Sequence, residues 1–249
     1  MRYLLSPSGQ EALYALLRQR PLLAFDFDGT LAPIVPLPDD AHASTAVATA
    51  MSRLSQLAPV AVVTGRAVAD VRSRLGFVPG YIVGNHGAEG LTEEAGDWAR
   101  SIERQVAQWH MQIETWRLPP GVLVEDKRRS ITLHYRLASD RGAAQALLGD
   151  LARTLNPVPQ IIGGKCVVNL LPAEAPNKYD AVVELARRAE AGSVMFLGDD
   201  DTDEIVFRHA HPGWLTCRIE RREDSAARFY LNAQSEVAGL IQFIERAMR

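Results

Sequence analysis

Four short, wholly apolar runs constrain this chain more than any other feature: LLAF (22–25), VAVV (60–63), YIV (81–83) and VMFL (194–197). Each is the length of one short strand and has no polar face, so each requires cover on both sides. Helical patterns follow the first two, over Ser44 to Leu57 and over Arg66 to Leu75. Strand–helix alternation of this kind builds parallel βαβ units, so the expected fold class is α/β, with a Rossmann-like doubly wound parallel sheet. Ser8 and Glu11 have the form of a capping box and predict a first helix from about Gly9 to Arg20, stopped by Pro21.

The pattern then changes. Trp98 to Trp116 predicts one long helix, VLVEDK and SITLHYRL two alternating strands, Asp140 to Leu155 a helix, and PQIIGG and KCVVNLLP two more strands. Four strands and two helices with short connections form an α+β layer inserted into the core. The expected organisation is core over 1–88, cap insertion over 89–171 and core again over 172–249. From Lys178 the α/β rhythm resumes, with a helix to Ala189, the strands SVMFLG and WLTCRI, an edge strand RFYL and a terminal helix from Ser235 to Met248.

Composition excludes several classes of partner. The net charge of −3 over 249 residues gives no basic field for nucleic acid, and Lys127, Arg128 and Arg129 read as a polar turn. Cys166 and Cys217 lie far apart in no metal-ligand spacing, which suits a reduced, cytoplasmic setting. No apolar run approaches the ~20 residues of a membrane helix. The N-terminal stretch is broken by Pro7 and Gly9 and lacks a signal-peptide core. The expected partner is a small molecule.

Ligands of open parallel sheets bind beyond the carboxyl ends of the strands. The first run leads into Asp26 and Asp28, which share a face if the strand continues through Phe27. The second leads into Thr64, Gly65 and Arg66, and the fourth into Asp199, Asp200, Asp201, Asp203 and Glu204. Adjacent carboxylates repel and require a cation or a proton between them. Oxygen donors without a nearby His or Cys favour Mg²⁺. Thr64, the turn at Gly65, Arg66 and Lys178 would hold the oxygens of a phosphate. Gly29 permits a tight turn, and Thr30 can donate to a phosphate oxygen. Plainer readings stand beside these: Thr64 as a helix cap, Lys178 as a surface lysine and Arg66 as the partner of a local acid. Taken together the groups imply phosphoryl transfer, with Asp26 as a nucleophile forming an aspartyl-phosphate and Asp28 as acid and base. An EF-hand is excluded, because Glu204 occupies its required Gly position and Ala210 that of its terminal Glu.

The segments DFDGTLAPI, TGR, GNHG, EDK…HYR and LGDDDTDEIVF occur in this order over residues 22–207. On them the chain resembles the trehalose-6-phosphate phosphatase family of the haloacid dehalogenase superfamily. The resemblance implies a haloacid dehalogenase-like core with an inserted cap. It also implies Mg²⁺ held by Asp26, the Asp28 carbonyl and Asp199 with support from Asp200, and hydrolysis of trehalose 6-phosphate to trehalose and phosphate. The alternatives are a phosphatase or mutase for another sugar phosphate, and a catalytically silent sugar-phosphate sensor. No synthase-like domain is read here, so a trehalose-phosphate synthase partner would be a separate chain.

In the cap, Glu125 and Lys127 share one strand face, as do Thr132, His134 and Arg136, and again Lys165 and Asn169. With the opposite, apolar faces packed on the cap helices, this polar side would close over the catalytic cleft and meet sugar hydroxyls. The expected substrate-binding residues are Glu125, Lys127, His134, Arg136, Lys165 and Asn169, with a cross-strand salt-bridge network as the plainer reading. Asn169 stands where the family usually carries Glu, Leu171 where a basic residue is common, and Tyr179 where Gly usually follows the lysine. His86 is expected at the cap hinge, as a structural residue or a ligand.

Overall fold

In a computed structural model, which describes residues 1–91 and 96–249, the four apolar runs become neighbouring strands of one parallel sheet. The chain divides into a larger unit, Met1–Gly87 with Asn177–Arg249, and a smaller one, Ala88–Pro176. The larger unit begins with β1 (Arg2–Tyr3), α1 (Pro7–Leu17), β2 (Leu22–Phe25), α2 (Thr45–Leu54), β3 (Val60–Val63), α3 (Val68–Arg74) and β4 (Tyr81–Val83). The smaller unit holds α4 (Asp97–Ile113), β5 (Leu123–Asp126), β6 (Ile131–His134), α5 (Arg141–Arg153), β7 (Gln160–Gly164) and β8 (Val167–Leu171). The larger unit resumes with α6 (Lys178–Arg188), β9 (Val194–Gly198), α7 (Glu204–His209), β10 (Leu215–Ile219), β11 (Phe229–Leu231) and α8 (Val237–Met248).

The larger sheet has the order β1-β11-β10-β9-β2-β3-β4, with every pairing parallel. One face, with Leu23, Phe25, Val62 and Leu197, is covered by Leu13 of α1, Met51 of α2 and Leu240 and Ile244 of α8. On the other face Phe196 meets Phe207 of α7 edge-on at 5.9 Å, and Ala181, Val182 and Leu185 of α6 are buried. The strands need no polar side because helices cover both faces. From β2 the chain winds outward through β3 and β4, then returns beside β2 at β9 and winds the other way. The reversal lies between β2 and β9, and such a switch point leaves a crevice at the strand ends.

The smaller unit is an antiparallel sheet, β5-β6-β8-β7. Ile131, Leu133, Val168 and Leu170 pack against Val106 and Trp109 of α4 and Leu148 of α5. Alternation sends Thr132, His134 and Asn169 to the opposite face. The register aligns Glu125, Thr132, Asn169 and Ile162 in one row across the four strands.

Three local features differ from expectation. The N-cap of α1 is Ser6, whose side chain accepts from Gly9 N at 3.3 Å, rather than Ser8. Pro7 sets this start, since its fixed φ and missing N–H suit the first helical position. The edge strand is β1, which pairs outside β11 through Arg2 and Phe229; two residues are too few to show any period. The smaller unit runs to Pro176, past residue 171, because Ala175 turns back onto Pro172 and packs with Leu171 and Ala88. Among the described residues, no helix is long and apolar enough to cross a membrane.

Candidate functional site

Asp26 follows β2 directly, and Asp199 follows β9, so the two flank the switch point. The Asp26 N–H donates to Leu197 O at 2.8 Å, which keeps the strands paired up to the acids. Oxygen atoms of Asp26, Asp199 and Asp203 lie within 4.8 Å of one another, and all three residues are buried. Lys178, at the start of α6, donates to Asp26 Oδ1 at 3.0 Å and to Asp203 Oδ1 at 2.7 Å. It is positioned by a helix start capped at Asn177, whose side chain and that of Asp180 form a capping box.

Lys178 bonds two of the three clustered carboxylates, Asp26 and Asp203. Burial pushes the Asp26 carboxyl well above the usual carboxylate range; Lys178 opposes this, while Asp203, Asp199 and Asp28 add to it. Burial works against the Lys178 charge, but Asp203 and Asp26 outweigh it and hold its pKa above the ordinary value. The set therefore has room for more positive charge. Its donors are hard carboxylate oxygens, which fit Mg²⁺ rather than a thiolate- or imidazole-seeking metal.

Asp203 and Asp200 both act on the turn that follows β9. The Asp203 Oδ2 accepts from the backbone N–H groups of Asp199 (2.9 Å) and Asp200 (3.0 Å), so this side chain shapes the turn that presents Asp199. Gly198 is needed beneath it, because a Cβ there would lie 2.3 Å from Asp203 Oδ2. The Asp200 carboxylate caps the same turn, accepting from Asp201 N at 2.8 Å. Arg218 braces the turn from β10, with Nη1 donating to Asp200 O and to Glu204 Oε1, both at 3.2 Å. Asp203 was legible only as one acid in a run. Its use as a backbone acceptor depends on how residues 199–203 turn.

The loop after β2 closes on itself, with Gly29 N donating to Ala32 O at 2.8 Å. Gly29 takes φ +79°, and a Cβ on it would lie 2.1 Å from Asp199 Oδ2, so glycine is required on both counts. Thr30 is buried, and its Oγ1 has no hydrogen-bond partner. Asp28 is held by Arg66, whose Nε donates to Oδ2 at 2.7 Å and Nη2 to Oδ1 at 2.8 Å. Of the two readings of Arg66, the structure displays the pairing with a local acid. Burial works against the Arg66 charge, but Asp28 and Asp70 outweigh it and hold its pKa above the ordinary value.

Thr64 Oγ1 accepts from Arg66 N at 3.1 Å, and Gly65 lies under the His86 ring, where a Cβ would approach Cε1 to 2.4 Å. Asn85 and His86 both take left-handed φ, +49° and +57°. Their N–H groups bond Arg66 O at 2.8 Å and Thr64 O at 3.0 Å. Two non-glycine residues in this region store strain, which the clamp on the 64–66 loop offsets.

In the smaller unit, Glu125 Oε2 lies 2.8 Å from His134 Nε2 and 3.6 Å from Lys127 Nζ. Burial raises the Glu125 pKa, but the His134 hydrogen bond and the Lys127 charge outweigh it and leave it below the ordinary value. Arg136 donates to Lys165 O at 3.2 Å. Asn169 is buried, its Oδ1 accepting from Thr132 Oγ1 at 2.8 Å and its Nδ2 donating to Ile162 O at 3.3 Å. Its amide is thus engaged at both ends within the sheet. The Tyr179 ring packs near His209, His211 and Trp214.

A parallel, doubly wound seven-stranded sheet of this order is the core of the haloacid dehalogenase fold. A Candida albicans trehalose-6-phosphate phosphatase C-terminal domain has this fold with TM-score 0.73 at 21% identity, over 95% of this chain and 96% of that one. The chain belongs to the trehalose-phosphatase family, whose profile matches residues 24–236. The trehalose-phosphate phosphatase of Mycobacterium tuberculosis is 30% identical over 257 residues, 94% of this chain and 63% of the relative. That of Mycobacterium avium is 32% identical over 247 residues, 92% and 62%. The chain thus spans somewhat under two thirds of the length of these relatives.

Proposed function

We propose that this protein is a Mg²⁺-dependent phosphatase that hydrolyses trehalose 6-phosphate to trehalose and phosphate. The observation that carries the reading is Asp26, buried at the switch point, bonded to Lys178 and clustered with Asp199 and Asp203. Membership of the trehalose-phosphatase family points to the substrate.

Asp26 is the nucleophile in this reading. One of its oxygens bonds to phosphorus as the bond from phosphorus to the sugar oxygen breaks, and Asp28 gives its proton to that oxygen. Asp28 then takes a proton from water, whose oxygen attacks phosphorus and releases phosphate from Asp26. Lys178 favours the ionised form of Asp26 and aims it. Thr64, Gly65, Gly29 and Thr30 are assigned to the phosphate side, with the buried Thr30 hydroxyl as a ready donor; Arg66, engaged by Asp28 and Asp70, is assigned to Asp28 rather than to the phosphate. Asp26, the Asp28 carbonyl and Asp199 would hold the Mg²⁺, with Asp200 and Asp203 shaping the loop behind it. When bound, the ion neutralises repulsion between carboxylate and phosphate.

Glu125, Lys127, His134, Arg136 and Lys165 are assigned to the sugar. The engaged amide of Asn169 argues for a supporting part in that sheet rather than a direct contact. A cytoplasmic location belongs to the same reading. The test is phosphate release from a panel of sugar phosphates, with and without Mg²⁺, beside Asp26→Asn. Selective, metal-dependent release from trehalose 6-phosphate that the substitution abolishes is expected. Turnover of a different sugar phosphate would retain the catalytic core and reject the substrate. Binding without turnover would leave a sensor.

A further inference from the structure

We propose that Asp70 and Arg74 form a positioning relay that holds Arg66 against both oxygens of Asp28 and so aims the acid/base group at the leaving oxygen. The inference rests on the reading of Asp28 given above. Asp70 and Arg74 lie one turn apart on α3, a spacing that puts them side by side. Arg66 divides its donors between two acids: Nε and Nη2 grip Asp28, and Nη1 donates to Asp70 Oδ2 at 2.8 Å. The other Asp70 oxygen accepts from Arg74 Nε at 2.7 Å. Arg74 is tied in turn to Asp39, with Nη1 donating to its carbonyl at 2.5 Å and Nη2 to Oδ1 at 3.0 Å.

Asp70 is therefore fixed at both oxygens by two guanidinium groups, and Arg66 is fixed along two edges by two carboxylates. The guanidinium partners are the buried ones, Arg66 at 12% and Arg74 at 10% exposed, whereas Asp28 and Asp70 are 36% and 35% exposed and Asp39 is open to solvent. The Arg66 guanidinium also lies over the Phe27 ring at 5.6 Å. A guanidinium is a rigid planar fork, so turning one edge turns the other. Freeing Nη1 from Asp70 lets the plane rotate, and the bidentate hold on Asp28 loosens with it.

The orientation of Asp28 matters most when the leaving group requires a proton. A sugar alkoxide does, whereas p-nitrophenolate departs without one. The experiment compares single-turnover phosphoryl transfer from trehalose 6-phosphate and from p-nitrophenyl phosphate in wild type, Asp70→Asn and Arg74→Gln, all with Mg²⁺. With Asp70→Asn the sugar phosphate rate is expected to fall on the order of ten- to a hundredfold. The aryl phosphate rate and the sugar phosphate KM should stay within about twofold, since proton donation and binding are separate contributions. Arg74→Gln should give the same pattern, weaker. It carries the test if Asp70→Asn does not fold. Equal losses on both substrates, a change confined to KM, or no change would overturn the relay.

A second readout needs neither metal nor turnover. Exchange of the Arg66 Nε proton, followed by NMR in the metal-free protein, should quicken in either variant. Unchanged exchange would overturn the proposal. If wild type turns over neither phosphate, the enzymatic reading fails by itself, and the exchange measurement still decides whether Asp70 holds Arg66.

Discussion

Lys178 and Asp26 are 152 residues apart in the chain and joined by a 3.0 Å hydrogen bond between two buried side chains. Removing the ammonium leaves Asp26 and Asp203 buried near each other without their shared partner. Lys178→Met should therefore destabilise the protein by about 3–5 kcal/mol, as breaking one side of a buried pair does. Urea unfolding of the metal-free protein would measure this. Stability equal to wild type would show that the carboxylates find other compensation.

The substitution Asp26→Asn acts in the opposite sense on stability. It removes a charge that Asp203, Asp199 and Asp28 all disfavour, while Lys178 keeps Asp203. Without metal, the variant should unfold at a temperature no lower than wild type. With Mg²⁺ it should lose at least about 10³-fold in phosphate release, as nucleophile substitutions do. Calorimetry and a turnover assay on one preparation separate the two effects.

Mg²⁺ should raise stability through binding to the folded state, by about 2.7 kcal/mol at a hundredfold excess over Kd. Gly29→Ala should weaken that response, because the new methyl would lie 2.1 Å from Asp199 Oδ2 at a position with φ +79°. The same variant should lose more than about 1 kcal/mol of metal-free stability from backbone strain. Thermal shift against Mg²⁺ concentration tests both. An undiminished shift in the variant would remove Asp199 from the ion's ligands.

The Glu125–His134 pair predicts a pH effect in the smaller unit. Glu125 has its folded pKa below the ordinary value of 4.5, so its contribution is present above that value and is lost as pH falls through the folded one. Glu125→Gln should be slightly less stable than wild type at pH 6, and the difference should vanish in more acidic solution. Because Glu125 is half exposed, the effect is small. Paired denaturation curves at pH 6 and pH 3 would detect it, and a difference that grew on acidification would contradict the sign.

Much of the fold was legible locally. Four wholly apolar runs require helices on both faces, and a parallel sheet that reverses direction gathers its ligands at one edge, so Asp26 and Asp199 could be assigned to one place before any contact was known. The alternation in ITLH likewise showed which side of the small sheet would pack on helices, because side chains change face at each residue. The sequence could not say which of the acids after Asp199 would join it beside Asp26. That depends on a short turn in which Asp203 folds back onto the backbone of Asp199 and Asp200. Nor could it choose between phosphate and a local acid as the partner of Arg66, since a guanidinium suits either; that α3 carries Asp70 to within 2.8 Å of it is a matter of the fold. Asn169 shows the same limit: strand periodicity gave its face, but only the register beside Thr132 and Ile162 engaged its amide. Periodicity and composition are written along the chain, whereas partners 38 to 152 residues apart are selected by tertiary packing.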